Sequence, residues 1–94
     1  MKQELFVIYD LKSKTCFSQI MAHPNDYVCK RSLISQADRF PNIIKQCPGD
    51  FAVIHLGSFE DEKPLIIPSE DAKEICFSMT EVIDYVGLSE KQEN

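Results

Sequence analysis

Residues 47–59 constrain the fold of this chain more than any other segment. A Pro-Gly-Asp turn at residues 48–50 precedes six residues of strand character, residues 51–56, and Gly57 ends them. An unbroken apolar run at residues 5–9 has the composition of a central strand that is buried on both faces. The chain is therefore expected to form a sheet around these two strands.

Two further segments complete the predicted sheet. Residues 15–21 and 65–67 also have the pattern of strands, and prolines on both sides of residues 65–67 favour an edge position. Residues 71–77 fit either a strand or a helix. The sequence thus predicts three or four strands and leaves one segment open.

Two helices are predicted from side-chain spacing. The sequence His-Pro-Asn-Asp at residues 23–26 is typical of a helix start, and Pro41 ends the segment that follows. Apolar side chains recur within it at spacings of four, four and three, which predicts an amphipathic helix over about residues 25–40. Capping-box spacing at residues 78–81 predicts a short C-terminal helix that ends at Gly87. The apolar side chains of the first helix are Cys29, Leu33, Ala37 and Phe40.

These elements together predict an α+β fold. It consists of a three- to four-stranded, mostly antiparallel sheet, with the main amphipathic helix (about residues 25–40) across one face and a short C-terminal helix. A length of 94 residues corresponds to a single domain, residues 1–94. About residues 89–94 are polar and are expected to form a frayed tail.

Charge is distributed unevenly along the chain. The formal net charge is −5 at pH 7, which argues against a protein that simply wraps around nucleic acid. Residues 1–45 carry seven basic and four acidic side chains, whereas residues 46–94 carry three basic and eleven acidic ones. This asymmetry predicts either a dipolar surface or a solvated acidic C-terminal half.

The sequence contains no pattern that predicts catalysis or a cofactor. Its two histidines, His23 and His55, lie outside any motif for hydrolysis, zinc binding or proton transfer. Three glycines are too few for a phosphate-binding loop, and the acidic run at residues 60–62 lacks the ligand spacing of an EF-hand. We therefore expect no enzyme activity, no metal and no cofactor.

The four cysteines are expected to be free, mostly buried thiols. They form no C-x-x-C pair, and the first 20 residues lack the features of a secretory signal. No apolar run approaches the ~20 residues that a membrane-spanning helix needs. We accordingly expect a cytoplasmic protein without a membrane partner. The cysteines are Cys16, Cys29, Cys47 and Cys76.

Basic side chains near an aromatic ring provide the remaining candidate site. Single-stranded nucleic acid needs this combination, because cations neutralise phosphates and a flat ring stacks on bases. Arg31 and Arg39 are expected on one face of the main helix, and Phe17 follows the first hairpin loop. Solubilising roles for the cations and core packing for Phe17 stay open as alternatives. The candidate residues are Lys12, Lys14, Phe17, Arg31, Arg39 and Lys45.

Three parts of the sequence match one family pattern. The first is Phe6-Val-Ile-Tyr-Asp10 with the lysines that follow it, and the second is Cys29-Lys-Arg-Ser-Leu33, in which Arg31 takes the position of the family arginine. The third joins Pro48-Gly-Asp-Phe51 to Leu56-Gly-Ser-Phe-Glu-Asp61. With these parts the chain resembles the small nonstructural protein of gokushovirus-type microviruses, single-stranded DNA phages that include those infecting Chlamydia.

The resemblance implies a nonstructural accessory protein in the cytoplasm of the bacterial host. Its implied role is in single-stranded DNA binding, viral DNA replication or the switch to genome packaging, with the viral genome as partner. The chain departs from the family pattern at Leu33, at Gly49 and near Lys63, where the family has an aromatic residue, an acidic residue and a glycine.

An alternative function is an acidic interaction module that makes no direct contact with DNA. Residues 60–81 would then mimic nucleic acid or bind a host factor or viral replication or capsid proteins. With either function a homodimer is expected, because self-association protects exposed strand edges and adds to a small core.

Overall fold

The computed structural model describes residues 2–60, 62–69 and 75–92 of the chain, with side chains as far as residue 85. Within these ranges the chain forms six strands, three α-helices and two 3-10 turns. The strands are β1 (Lys2–Asp10), β2 (Thr15–Cys16), β3 (Met21–His23), β4 (Phe51–Glu60), β5 (Leu65–Pro68) and β6 (Ile75–Ser78). The helices are α1 (Asp26–Ser35), α2 (Asn42–Gln46) and α3 (Met79–Gln92), and the 3-10 turns are Ala37–Arg39 and Pro48–Asp50.

Two long strands, β1 and β4, form the centre of the sheet. They pair from Lys2 opposite Glu60 to Asp10 opposite Phe51. β2 and β3 pair with the other edge of β1, and β5 and β6 pair with the other edge of β4. All of these pairings are antiparallel. The sheet is four strands wide, and two short strands share each of its outer positions.

The predicted count of three to four strands is wrong, because the described residues form six. The predicted strand at residues 15–21 is instead β2 and the first residue of β3, separated by residues that belong to no strand. Phe17 and Ser18 both donate backbone hydrogen bonds to the Ile8 carbonyl, and the Ser18 hydroxyl accepts one from the Ile8 N–H at 2.9 Å. These contacts occupy both backbone groups of Ile8 and interrupt the strand between β2 and β3. Residues 75–77 of the open segment belong to β6, residues 71–74 lie outside the described ranges, and the α+β class is retained.

The main helix is shorter than the predicted residues 25–40. The side chain of Asn25 caps its start by accepting a hydrogen bond from a first-turn N–H at 2.8 Å. The helix ends at Ser35, whose hydroxyl donates to the Ser32 carbonyl at 2.7 Å, while the Gln36 N–H bonds only three residues back. The backbone therefore tightens into a 3-10 turn instead of continuing as an α-helix.

Two further segments differ from the predicted elements. Residues 42–50, predicted as a connection, contain α2 and the second 3-10 turn. α3 continues to Gln92 and does not end at Gly87. Residues 93–94 of the predicted frayed tail lie outside the described residues. No helix in the described ranges is both long and apolar enough to cross a membrane.

The main core lies between one face of the sheet and the helices. Phe6 and Ile8 of β1 and Phe51 and Val53 of β4 meet apolar side chains from the helices there. Cys29 of α1 is completely buried in this cluster, and burial raises the pKa of its thiol to about 12. The thiol therefore stays protonated and packs as an apolar group.

Gly57 allows β5 to approach β4 closely. Its φ of +158° disfavours other residues, and a Cβ at this position would collide with the Ile67 carbonyl oxygen and lie 3.0 Å from the Pro68 Cα.

We predict that Gly57→Ala lowers the free energy of unfolding by about 1–3 kcal/mol, the usual range for overpacking. Urea denaturation followed by circular dichroism measures the change.

Gly49→Ala is the matched control for this prediction. A Cβ on Gly49 would meet only the Thr80 hydroxyl oxygen, at an ordinary contact distance of 3.5 Å. We expect this variant to be as stable as the wild type or slightly more stable. Equal stability of the two alanine variants would contradict the close-approach explanation.

Candidate functional site

The six predicted site residues lie in three places. Lys12 and Lys14 are exposed in the β1–β2 loop. The Asp10 carboxylate accepts hydrogen bonds from the backbone N–H groups of Lys12 and Ser13 at 2.9 and 3.1 Å. The bond from Ser13 is the main cause that lowers the pKa of Asp10, so this carboxylate stays charged beside the two lysines. The positive charge of the loop is thus partly offset.

Phe17 follows this loop, and its ring is partly packed and partly exposed. Its ring packs edge-on against the buried Phe51 ring, with centroids 5.0 Å apart and an interplanar angle of 66°. The side chain nevertheless stays 42% exposed. Phe17 is therefore anchored to the core on one side and open to solvent on the other.

Arg39 and Lys45 lie together, but Arg39 does not share a helix face with Arg31 as predicted. Arg39 belongs to the 3-10 turn beyond the end of α1. The Lys45 ammonium donates a hydrogen bond to the Asp38 carbonyl at 2.7 Å and so lies against that turn. Both cationic side chains are exposed.

Arg31 lies in a groove between α1 and α3, which we call the α1–α3 groove. Its guanidinium carbon is 5.8 Å from the centroid of the Tyr27 ring, a cation–π distance. Tyr27 is 65% exposed, and Tyr85 of α3 is 57% exposed. The groove has a volume of about 310 Å³. Its lining residues are Tyr27, Lys30, Arg31, Ile34, Ser35 and Tyr85.

The two neighbouring cations of the groove differ in their electrostatic partners. The Lys30 ammonium lies 3.0 Å from a Glu81 carboxylate oxygen and 5.7 Å from the centroid of the Phe77 ring. Within the described part of the chain, no carboxylate lies within ion-pair distance of Arg31. Glu81 therefore neutralises Lys30 and leaves Arg31 as the available cation of the groove.

Glu81 also fixes the start of α3. Its carboxylate accepts a hydrogen bond from the Ser78 N–H at 3.0 Å, and the Ser78 hydroxyl accepts one from the Thr80 N–H at 3.2 Å. This arrangement confirms the capping that was predicted from the spacing of these residues. The hydrogen bond from Lys30 and then that from Ser78 lower the pKa of Glu81.

Sequence reasoning found Arg31 but missed both tyrosines of the groove. Tyr27 precedes Arg31 by four residues in a predicted helix, and this spacing places the two side chains on one face. Tyr27 could therefore have been identified from the sequence. Tyr85 could not, because its position beside Arg31 depends on how α3 packs against α1.

His55 lies in β4 beside a second cavity of about 500 Å³. Its Nε2 atom is 3.0 Å from a carboxylate oxygen of Glu4, and its ring is 5.5 Å from that of Phe6. It is a half-buried histidine within a strand. Across the described ranges, no three histidine, cysteine or acidic side chains are grouped so that they could hold a metal ion.

The acidic surface predicted at residues 60–81 is described only in part. Asp61 and residues 70–74 lie outside the described ranges. Glu60 and Glu62 are exposed. Glu81, at the other end of this surface, is engaged by Lys30.

A family model described as Phage ORF5 protein matches residues 3–82 of the chain. The match extends from β1 into α3 and includes Arg31, Tyr27 and the turn before β4. No curated protein matches the chain, and no solved structure does.

The contact between Lys30 and Glu81 gives a prediction about acid stability. Because the pKa of Glu81 is lowered in the folded state, its stabilisation is present above the unfolded-state pKa and is lost as the pH falls through the folded-state pKa. We expect Glu81→Gln to lower the free energy of unfolding by at most about 1 kcal/mol at pH 7, because the pair is exposed to solvent. The difference from wild type should shrink on acidification.

Urea denaturation across this pH range measures the effect. The control is Asp84→Asn, which makes the same change of charge at an exposed position on the same helix. We expect this variant to leave the stability nearly unchanged. A Glu81→Gln deficit that stays constant down to the lowest pH would contradict an electrostatic origin.

Proposed function

We propose a function for this chain from the premise that it belongs to the Phage ORF5 protein family. In this proposal it is a nonstructural accessory protein that binds single-stranded DNA during replication of the phage genome or the switch to packaging. The narrower assignment to gokushovirus-type microviruses is also a proposal. It is supported by the three sequence motifs, all of which lie within the matched residues 3–82.

The observation that supports DNA binding is the available guanidinium of Arg31 in the α1–α3 groove. Among the described residues, no carboxylate lies within ion-pair distance of Arg31 and competes with a phosphate there. An arginine without such a partner can donate two parallel hydrogen bonds to phosphate oxygens. The exposed cations Lys12, Lys14, Arg39 and Lys45 are proposed to add contacts elsewhere along a strand.

We predict that the protein binds a fluorescein-labelled single strand of ~30 nucleotides and that the affinity falls as salt rises. Arg31→Glu should weaken binding by about tenfold or more, because it removes a charge-assisted contact and adds a repulsive charge. Fluorescence anisotropy at low and moderate salt measures both effects. Lys63→Glu is the matched control, since it makes the same charge change at an exposed lysine outside the candidate site.

Two results would contradict this proposal at different levels. Equal affinities of Arg31→Glu and wild type would show that the α1–α3 groove is not part of the DNA-binding surface. An absence of binding even at low salt would contradict DNA binding altogether. That second result would favour the acidic interaction module, which the net charge of −5 supports.

We further propose that the protein is a homodimer and that β5 contributes to its interface. Leu65, Ile66 and Ile67 are each more than half exposed, at 61%, 58% and 56%. Three adjacent exposed apolar side chains on an edge strand are a common sign of a contact surface. Prolines at both ends of the strand limit backbone pairing, which favours contact through side chains.

We predict that Ile67→Glu shifts the protein from dimer to monomer at micromolar concentration. Ile43→Glu is the control, because Ile43 is similarly exposed at 54% but lies in α2, away from the edge strand. Light scattering coupled to size-exclusion chromatography measures both masses. A wild-type protein that stays monomeric at all concentrations would refute the dimer.

A further inference from the structure

The α1–α3 groove contains an unusual concentration of exposed aromatic rings. The chain has three tyrosines, and two of them, Tyr27 and Tyr85, are more than half exposed and line this groove. Exposed tyrosines that converge on one concave surface are enriched at contact sites, because the ring offers a large rigid area with few rotamers to fix. Neither ring belongs to the hydrophobic core, so core packing does not account for their presence in the groove.

The chemistry of the groove combines flat apolar surface with one cation. Ile34 and the two tyrosine rings supply the apolar surface. Arg31 lies against Tyr27, and its guanidinium makes no hydrogen bond or ion pair within the described part of the chain. Its N–H donors therefore remain available to an anion. Lys30 is neutralised by Glu81 and ties α1 to α3.

The size of the groove suits a small unit of a ligand. Its volume of about 310 Å³ is at the lower end of the roughly 300–1,000 Å³ of small-ligand sites. A single base with part of its sugar fits this range, and a duplex does not. A base inside a duplex also has both faces covered by its neighbours, so only a single strand can offer a base to stack on a protein ring.

We propose that the α1–α3 groove binds one nucleobase of single-stranded DNA by stacking on Tyr27 and Tyr85, while Arg31 contacts a phosphate of the same strand. This inference rests on the proposed function and specifies how a strand is held. It makes stacking, in addition to charge, a source of affinity. An acidic protein can thereby retain a single strand at salt concentrations that weaken phosphate contacts.

Tyrosine fluorescence tests the stacking directly, because the chain contains no tryptophan. A Tyr9→Phe protein removes the emission of the third, half-buried tyrosine and leaves only the two groove residues as reporters. We expect an oligothymidylate to quench this emission on binding. An oligonucleotide of abasic sites with the same number of phosphates should bind more weakly and quench little.

Substitutions separate ring stacking from general folding effects. Tyr27→Leu and Tyr85→Leu should each weaken oligothymidylate binding by about fivefold or more, whereas Tyr27→Phe and Tyr85→Phe should retain it, because phenylalanine keeps the ring. Circular dichroism checks that each variant is folded. The abasic comparison uses only proteins with both groove tyrosines intact, so it remains decisive if a leucine variant unfolds.

The outcomes distinguish this inference from the proposed function. Salt-dependent binding that is equal for thymidylate and abasic strands, without tyrosine quenching, would refute the base site but retain single-stranded DNA binding through phosphates. Quenching by an apolar peptide but not by DNA would overturn both and indicate a protein partner. Failure of any single strand to bind at low salt would also overturn both.

Discussion

The pairing of β1 with β4 is the interaction on which the other elements depend. The two strands run side by side from Lys2 and Glu60 to Asp10 and Phe51, and every other strand attaches to one of their outer edges. Alternation along both strands presents large apolar side chains to the helices. A change in their register would move these side chains away from α1 and α3, so this pair determines whether the α1–α3 groove exists.

The groove is a consequence of helix packing over this central pair. α1 contributes Cys29 and Leu33 to the core, and α3 contributes Met79 and Val82. Once these apolar faces are buried, the polar flanks of the two helices lie next to each other. Lys30 then pairs with Glu81, while Arg31, the next residue of α1, lines the same groove without a carboxylate partner among the described residues. The availability of Arg31 therefore depends on how the apolar faces of α1 and α3 are buried against the sheet.

Much of the fold could be predicted from the sequence because its central segments have strong local signals. The apolar runs in β1 and β4 are long, and Asn25 caps α1 where its sequence indicated. Two of the errors arise where one side chain redirects the backbone: Ser18 divides a predicted strand, and the Ser35 hydroxyl bonds to the backbone where α1 ends early. For the site, the sequence identified Arg31 as a candidate, but the contribution of Tyr85 depends on tertiary packing.

The negative net charge and the proposed DNA binding are compatible because electrostatic interactions in salt are local. At physiological ionic strength the Debye length is about 8 Å, so charges on distant parts of the surface contribute little at a given phosphate. What matters at the groove is whether a carboxylate lies beside the cation. Glu81 is the carboxylate of α3 that engages a groove cation, and it lies 3.0 Å from Lys30. Pairing with Lys30 therefore both joins the helices and leaves Arg31 free for an anion, so one contact supports the fold and the proposed site together.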